Sequence, residues 1–148
     1  MYKRQVQQLA KTEGSEVVLI CGKIESEISD LESEEEKKDF LESIGLEQSG
    51  LSKLITAGYE LLGLQTYFTA GEKEVRAWTF KSGSKAPEAA AVIHTDFQKG
   101  FIKAEVYHCN DLFEFGSELK VKEAGKLKIE GKEYLVKDGD IMHFRFNV

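Results

Sequence analysis

The spacing of apolar residues at the start of the chain predicts a helix followed by a strand. Residues 6–12 have the pattern of a helix end, which Gly14 and Ser15 break. Residues 16–21 form a short apolar, β-branched run, typical of a strand buried on both faces of a parallel sheet. Because one strand cannot form a sheet alone, and no partner for it is visible in the sequence, we expect residues 1–23 to be poorly ordered or repurposed.

Residues 24–63 carry a helical pattern with short loops. Three apolar residues between positions 24 and 31 are spaced for one helix face, opposite acidic residues. Ser33 and Glu36 form a capping-box signal for a second helix, expected to end near residue 45. A last helix, capped by Ser49 and ending at Gly63, has apolar residues at helical spacing: Leu51, Leu54, Ile55, Tyr59 and Leu62.

From residue 64 onward apolar and polar positions alternate, which predicts strands. Pro87 fits the first turn of a short helix at 88–93, and Asn110 or Asp111 is expected to cap a brief turn through Phe115. Strands with one short helix predict an α+β domain with a mixed sheet, for which a β-grasp is one compatible topology. The predicted strands are 65–69, 75–80, 100–107, 126–130, 133–136 and 141–148, with turns at Gly131 and at Asp138, Gly139 and Asp140.

The charge of the 148 residues is unevenly distributed. The net charge is −6, and all of it lies in residues 1–63, whereas residues 64–148 carry equal numbers of acidic and basic side chains. A strongly basic nucleic-acid footprint is absent, so any RNA contact must come from a local patch. Because no apolar run approaches the roughly 18 residues of a membrane span, and residues 1–5 do not resemble a signal peptide, we expect no membrane partner.

Cysteine and histidine residues give no sign of a metal or nucleophilic site. Cys21 and Cys109 fit neither a disulfide framework nor a zinc motif, so a reducing cytoplasm is expected. His108 and Cys109 are adjacent, and on a strand they would point to opposite faces, unable to share a metal. No order or spacing suggests a catalytic Ser, His and Asp grouping. We therefore predict no catalytic residue and no metal ligand.

Four blocks of the sequence resemble the C-terminus of the YchF family, the Obg-related P-loop ATPases that are also called Obg-like ATPases. The resemblance extends from about residue 6 to residue 148, so it is far more specific than a short motif. The blocks are LLGLQTYFTAGEKEVRAWTF (61–80), VIHTDFQKGFIKAEV (92–106), KEAGKLKIEGKEYLVKDGD (122–140) and HFRFNV (143–148).

The resemblance implies a domain layout. Residues 64–148 would be the TGS domain, a ubiquitin-like β-grasp module shared with some tRNA synthetases and stringent-response enzymes. Residues 24–63 would be a helical connecting segment, and residues 1–23 a helix and a remnant strand of the P-loop nucleotide-binding domain. Residues 1–5 depart from the family and resemble the translated end of a transposon sequencing adapter, so we expect them to be artefactual and the reading frame to be truncated.

The resemblance also implies a function that the chain cannot perform alone. In the intact parent it implies binding and hydrolysis of ATP in preference to GTP, with Mg²⁺, a redox- or stress-linked role, ribosome association and a cytoplasmic location. The sequence lacks the G-x-x-x-x-G-K-[S/T] loop whose backbone N–H groups and lysine hold phosphates. For the chain alone we therefore expect no cofactor and no ATP hydrolysis.

Cys21, Gly22 and Lys23 fall at the loop that, in such P-loop proteins, lies beside the nucleotide base. Backbone groups of this loop could contact a purine, because glycine permits close approach. The alternative is a strand-to-helix turn that needs glycine. We favour the alternative for this chain, since a phosphate site supplies most of the affinity for a nucleotide.

Candidate contacts to RNA or to the ribosome gather between residues 94 and 103. Aromatic residues there could stack on a nucleobase, and basic residues could meet phosphates. Alternatively, Thr95 or Asp96 caps a turn and Phe97 and Phe101 belong to the core, which we favour for Phe101 because it opens an alternating strand. The candidates are His94, Thr95, Asp96, Lys99 and Lys103.

A second run of basic residues is weaker as a nucleic-acid site. Its lysines alternate with Glu118, Glu123 and Glu130, so a solvated face of mixed charge is favoured over a patch that steers the domain to ribosomal RNA. The lysines are Lys120, Lys122, Lys126, Lys128 and Lys132.

Two functional hypotheses follow. The chain is either the C-terminal part of a ribosome-associated ATPase or a stand-alone TGS adaptor that binds RNA or protein without nucleotide chemistry, and neither predicts a DNA partner. We favour the first, because an adaptor has no reason to keep residues 16–21 hydrophobic on both faces of a strand.

Overall fold

The computed structural model describes residues 2–71 and 74–147, and the chain divides between Leu62 and Gly63 into two compact units. The first unit consists of helices, as the apolar spacing predicts: α1 (Tyr2–Glu13), α2 (Gly22–Ser29), α3 (Glu34–Ser43) and α4 (Gly50–Leu62). Among the described helices, none is both long and apolar enough to cross a membrane.

The helix boundaries follow the predicted capping residues. The Glu36 N–H donates to Ser33 Oγ at 3.2 Å and the Ser33 N–H donates to the Glu36 carboxylate at 3.0 Å, so the capping box of α3 is confirmed. Ser49 Oγ accepts from the Ser52 N–H at 3.1 Å in the first turn of α4. Gly63 follows α4 with φ +63°, a left-handed conformation that glycine adopts without a steric cost.

The strand predicted at residues 16–21 is wrong for this chain. The segment forms neither helix nor strand, and Leu19 and Ile20 are about half exposed. A strand needs a neighbour for its backbone N–H and C=O groups, and the described part of the first unit contains no other strand. The pattern is that of a buried strand, but no neighbouring strand buries it within the residues that the structure describes.

The second unit confirms the predicted α+β class. Each long predicted strand is present to within two residues, and the helix at Pro87 is formed. The elements are β1 (Leu64–Ala70), β2 (Val75–Lys81), α5 (Ala86–Ile93), α6 (Thr95–Lys99), β3 (Phe101–His108), α7 (Cys109–Phe115), α8 (Glu118–Glu123), β4 (Lys128–Glu130) and β5 (Asp140–Phe146).

The five strands form one mixed sheet in the order β2-β1-β5-β3-β4. β1 and β2 form an antiparallel hairpin, and β3 lies antiparallel to both β4 and β5. β1 and β5 are parallel and pair at the centre of the sheet through Phe68 and Ile141. The first and last strands of the unit are therefore neighbours.

Two apolar clusters cover the two faces of the sheet. The larger cluster lies beneath α5 and includes Tyr67 and Met142, and the smaller one lies beneath α7 and α8 and includes Ile141. Met142 and Ile141 lie in different clusters because successive side chains of β5 point to opposite faces of the sheet. Tyr67 is fully buried in the larger cluster, where its hydroxyl donates to the Ala89 carbonyl at 2.9 Å. Burial raises the pKa of Tyr67 well above its ordinary value of 10.0.

The helices after β3 differ from the prediction. Asn110 and Asp111 do not cap α7; the cap is His108, whose Nδ1 accepts from the Asn110 N–H at 3.1 Å. The sequence pattern also misses α8, which Ser117 caps and which the fully buried Val121 anchors to the sheet. An imidazole nitrogen replaces the usual hydroxyl or carboxylate oxygen of a cap in α7, so residue type misled the prediction.

The strand predicted at residues 133–136 is wrong. β4 pairs with β3, and within the described residues the 133–136 segment contributes one isolated bridge, from Leu135 to Lys85. Val136 is buried in the larger cluster, and Tyr134 packs against it. The Ala86 N–H donates to the Tyr134 carbonyl at 2.9 Å and the Val136 N–H donates to the Ser84 carbonyl at 3.1 Å, so this bridge and side-chain packing hold the segment outside the sheet.

The turn at Asp138, Gly139 and Asp140 is present, but it does not close a hairpin. Asp138 Oδ1 accepts from the Thr66 N–H at 2.7 Å, and the Gly139 N–H donates to the Thr66 carbonyl at 2.8 Å. The Asp140 carboxylate is buried and accepts from the Tyr134 hydroxyl at 2.8 Å and the Lys137 N–H at 2.9 Å. The two aspartates thus tie β5 to the start of β1 and to the preceding loop.

Candidate functional site

The exposed corner between α5 and β3 holds most of the predicted RNA contacts. His94 caps the five-residue helix α6, and its Nδ1 accepts from the Asp96 N–H at 3.2 Å. The Asp96 carboxylate lies 3.3 Å from the same nitrogen. Thr95 and Lys99 are exposed on this helix. The corner therefore presents one imidazole, one ammonium and one carboxylate to solvent.

The aromatic residues of this corner are occupied by packing. Phe101 is 3% exposed and belongs to the larger apolar cluster. Phe97 is half-buried and stacks on Phe146, with ring centroids 3.8 Å apart. Stacking of a nucleobase on either ring would require these contacts to open, so the corner offers charge and hydrogen bonding.

Lys103 is separated from the other candidates. A register shift between Phe101 and Lys103 places Phe101 in the larger cluster, while Lys103 shares the opposite face with Glu105 and Tyr107. His94, Thr95, Asp96 and Lys99 are thus brought together, and Lys103 is not.

Cys21, Gly22 and Lys23 lie at the start of α2 in the first unit. Cys21 is exposed and occupies the cap position without a side-chain hydrogen bond. Lys23 is exposed, with Nζ 3.8 Å from Glu27 Oε1. A Cβ at Gly22 would meet nothing within 4 Å, and its φ is not positive. The turn thus does not require glycine, and the backbone of the loop is open to solvent.

Glu25, two residues further on, performs a structural role. Its carboxylate accepts from the Gly50 N–H at 2.7 Å and from the Leu51 N–H at 3.3 Å, at the start of α4. Negative charge at a helix N-terminus satisfies free N–H groups and complements the helix dipole. Glu25 therefore ties α2 to the start of α4.

The second run of lysines is exposed and of mixed charge. Lys126 Nζ lies 3.5 Å from Asp111 Oδ1, and Lys120 and Lys122 lie in the last turn of α8, where cations complement the helix dipole. Solvent-exposed ion pairs of this kind contribute little to stability.

His108 and Cys109 do not point to opposite faces, as the sequence predicts, because the strand ends between them. Cys109 Sγ lies 3.8 Å from His108 Nδ1. The imidazole is engaged at both nitrogens: Nδ1 accepts the α7 cap bond, and Nε2 lies 3.0 Å from the Asp138 carbonyl, to which its N–H donates. Among the described residues, no three His, Cys, Asp or Glu side chains gather as metal ligands.

Sequence reasoning missed a polar cluster on the face of α8. Tyr107 is buried, and its hydroxyl donates to Glu118 Oε2 at 3.4 Å. His143 Nε2 lies 3.4 Å from the other oxygen of Glu118. Burial, followed by the charge and hydrogen bond of Glu118, raises the pKa of Tyr107 to about 12. Only the β3–β5 register and the position of α8 bring these residues together.

Comparison with known proteins identifies the family. A model named YchF-GTPase_C, described as "Protein of unknown function (DUF933)", matches residues 64–147, more than half of the chain. The chain belongs to the YchF family. It is 60% identical over 147 residues to the ribosome-binding ATPase YchF of Haemophilus ducreyi, a match that covers 99% of this chain and 40% of that protein.

Other YchF proteins give the same result. The chain is 58% identical over 144 residues to the ribosome-binding ATPase YchF of Bacillus subtilis, covering 97% of this chain and 39% of that one. The solved YchF GTPase of Schizosaccharomyces pombe matches with a TM-score of 0.80 and 37% identity, covering 98% of this chain and 38% of that one. The chain spans about two fifths of these relatives and corresponds to the C-terminal part of YchF.

Proposed function

We propose that this chain supplies the ribosome-binding module of a YchF-type P-loop ATPase. The observation that carries the proposal is the 58–60% identity, over nearly the whole chain, to two proteins named ribosome-binding ATPases. The matches cover 97–99% of the chain, so they extend over both units rather than over one short motif.

Within this proposal, residues 64–148 are a TGS domain with the ubiquitin-like β-grasp fold. Support comes from the central parallel pairing of the first and last strands, each flanked by an antiparallel neighbour. α5 follows the first hairpin and packs on one face of the sheet, as a helix grasped by a sheet does. Residues 24–63 are the connecting helices, and residues 1–23 are the remnant of the nucleotide-binding domain.

Nucleotide chemistry belongs to the longer parent protein. We assign it ATP in preference to GTP, Mg²⁺, a redox- or stress-linked role and a cytoplasmic location, in line with the family. Residues 21–23 suit only the base side of a nucleotide, since Gly22 has open space around it and no phosphate loop occurs in residues 1–148. Incubation of the chain with Mg-ATP is expected to release no phosphate above the protein-free rate. Turnover would contradict this assignment.

The proposed ribosome contact is the corner that contains His94, Thr95, Asp96 and Lys99, with Lys103 as a separate contact on the other face. The near-zero charge of residues 64–148 predicts modest affinity and a shallow salt dependence, because few counterions are released. Co-sedimentation of the chain with purified ribosomes at two salt concentrations tests both statements.

Matched lysine variants sharpen this experiment. Lys99→Ala is expected to weaken co-sedimentation two- to fourfold and to flatten the salt slope by about one, as loss of one phosphate contact does. Lys132→Ala removes an exposed lysine from the mixed-charge face and should change nothing. Absence of co-sedimentation would refute the ribosome proposal, whereas equal effects of the two variants would refute only the contact surface.

A stand-alone adaptor remains the second candidate, favoured by the two apolar clusters that the second unit possesses by itself. The genomic DNA upstream of the Met1 codon discriminates the two. An open frame that reaches a Gly-rich phosphate loop identifies the chain as the tail of an ATPase. A stop codon preceded by no such loop, followed by a ribosome-binding site, identifies an adaptor.

A further inference from the structure

His94 and His108 cap two short helices in the same way. His94 Nδ1 accepts from the Asp96 N–H at 3.2 Å at the start of α6. His108 Nδ1 accepts from the Asn110 N–H at 3.1 Å at the start of α7. A ring nitrogen that accepts a hydrogen bond carries no hydrogen, so the neutral imidazole then holds its hydrogen on Nε2. The caps therefore set the tautomer of both rings.

The two imidazoles differ in the role of the second nitrogen. The Nε2–H of His108 donates to the Asp138 carbonyl, at an N···O distance of 3.0 Å. In His94, Nε2 has no hydrogen-bond or ion-pair partner within the residues that the structure describes, and 61% of the side-chain surface is exposed. His94 thus presents an N–H donor to solvent. Protonation of the ring leaves this N–H in place, so Nε2 is a donor in both charge states.

The neighbours of His94 make the corner rich in donors. The one carboxylate, that of Asp96, lies 3.3 Å from Nδ1, the nitrogen that forms the cap, and so on the other side of the ring from Nε2. Thr95 and Lys99 are exposed, and their hydroxyl and ammonium groups add further donors. The corner therefore suits a partner whose surface consists of hydrogen-bond acceptors.

The backbone of a nucleic acid is such a partner, because its phosphates offer only acceptors. A protein surface, in contrast, presents N–H donors and C=O acceptors together. Phe97 and Phe101 are both engaged in packing, so neither ring is available to stack on a base. Contacts to phosphates position a protein on a nucleic acid without reading its sequence.

From these observations we infer that His94 binds the phosphate backbone of ribosomal RNA through its Nε2–H. The inference rests on the proposed ribosome contact, and it assigns that contact to RNA rather than to ribosomal protein. The imidazole side chain makes the bond, and not the end of α6, where the cap already occupies the Asp96 N–H. Lys99 adds a charge to the same surface, whereas the neutral imidazole adds a directed hydrogen bond.

Two substitutions of His94 separate the cap from the contact. In His94→Asn the side-chain oxygen replaces Nδ1 as the acceptor of the cap, but the Nε2–H is lost. In His94→Gln the longer side chain places an amide N–H near the position of Nε2, but the cap is lost. Co-sedimentation with purified ribosomes at pH 8 should fall about threefold in His94→Asn, the loss of one neutral hydrogen bond, and less in His94→Gln. Amide exchange in α6 should show the opposite order, with faster exchange in His94→Gln.

Salt dependence, isolated RNA and NMR test the chemistry of the contact. A neutral imidazole releases no counterion, so His94→Asn should keep the wild-type salt slope at pH 8, whereas Lys99→Ala flattens it. Deproteinised ribosomal RNA should bind the wild-type chain about threefold more tightly than His94→Asn, as the ribosome does. In the free chain at pH 8, the NMR spectrum of the ring nitrogens should place the hydrogen of His94 on Nε2. Addition of the RNA should shift the Nε2 resonance.

Failure of the wild-type chain to co-sediment with ribosomes would refute the ribosome proposal, and this inference with it. Where the wild-type chain binds, three results would overturn the inference alone. Equal binding of the wild type and His94→Asn would show that Nε2 makes no contact. Tighter binding of His94→Asn than of His94→Gln would show that His94 acts only as a cap. A difference between the wild type and His94→Asn on ribosomes, with none on deproteinised RNA, would assign the acceptor to ribosomal protein.

Discussion

The two units of the chain bury their apolar residues to very different extents. Among the described residues of the first unit, Ala10 and Gly50 are buried, and apolar side chains of α4 such as Leu51 and Ile55 are more than half exposed. The second unit encloses two clusters around a five-stranded sheet. Fully burying a large apolar side chain contributes roughly 1.5–3 kcal/mol, so the hydrophobic stabilisation of the chain is concentrated in the second unit.

The two units differ because the helices of the first depend on interactions between neighbouring residues, whereas the sheet of the second depends on contacts between residues far apart in the sequence. Caps such as Ser33 and Ser49 define helices of the first unit through bonds within one turn. In the second unit, Tyr67 and Met142 meet in one core although 75 positions separate them in the sequence. Each helix can form from residues that are close in the sequence, whereas the sheet and its core form only when distant segments come together.

The largest expected contrast comes from truncating one apolar side chain in each unit. Met142→Ala removes a fully buried side chain and should lower the free energy of unfolding of the second unit by about 2–5 kcal/mol. Leu54→Ala, on the exposed face of α4, should change stability by less than about 0.5 kcal/mol. Urea unfolding followed by Trp78 fluorescence, with amide exchange in α4, measures both. A similar loss of unfolding free energy in the two variants would contradict the difference in burial between the units.

Glycine substitutions sharpen the contrast further. A Cβ at Gly100 would overlap the Asn147 carbonyl oxygen, where the ends of β3 and β5 meet, so Gly100→Ala should cost roughly 1–3 kcal/mol. At Gly58, within α4, a Cβ would meet nothing within 4 Å. Gly58→Ala should therefore stabilise its helix, by about 0.5–1 kcal/mol. Thermal melting and helical circular dichroism report the two signs; a neutral Gly100→Ala would show that the strand ends can separate.

Alkaline pH is expected to weaken the second unit through its buried tyrosines. The pKa of Tyr107 is about 12 in the folded chain against an ordinary 10.0, so its stabilisation is complete below pH 10 and is lost as the pH rises towards 12. Tyr107→Phe should remove roughly 1–2 kcal/mol of that loss. Urea midpoints of both proteins across this window test the effect. Parallel pH profiles would show instead that the pKa of Tyr107 is the same in the folded and the unfolded chain.

A smaller, local destabilisation is expected at the exposed start of α3. Ser33→Ala removes the side-chain cap and should reduce the stability of this helix by about 1 kcal/mol, without a change in the second unit. Hydrogen bonds from Ser33 lower the pKa of Glu36 below its ordinary 4.5, so its stabilising contribution is present above that pH and lost as the pH falls through the lowered value. Amide exchange in α3 and an NMR titration of Glu36 measure these effects; an unchanged Glu36 pKa in Ser33→Ala would assign the shift to the Ser33 backbone N–H alone.

The prediction of the elements succeeded where the signal is local. Ser33 with Glu36, and Pro87 at the start of α5, depend on bonds and backbone angles within a few residues. The prediction failed where pairing decides. Residues 16–21 have a strand pattern but no neighbouring strand among the described residues, and residues 133–136 bond to residues 84–86 instead of joining the sheet. The predicted cap of α7 was wrong for a third reason. The backbone N–H of Asn110 donates to a nitrogen of His108, whereas the acceptor in a helix cap is usually a side-chain oxygen.

The same distinction between local sequence signals and strand pairing applies to the candidate site residues. The sequence placed His94, Thr95, Asp96 and Lys99 together, because they are near neighbours on one turn of chain. It could not show that Lys103 lies on the other face, since the register shift after Phe101 depends on pairing with β5.

By itself the sequence determined the family, the helices with their caps, the α+β class and the absence of a phosphate loop, because these depend on residue identity and short spacing. Only the tertiary structure decided that β1 and β5 are neighbours, that they pair in parallel through Phe68 and Ile141, and that Glu118 and His143 meet on the face of α8. Those features arise from contacts between distant segments, and alternation along a single strand carries no information about which strand lies beside it.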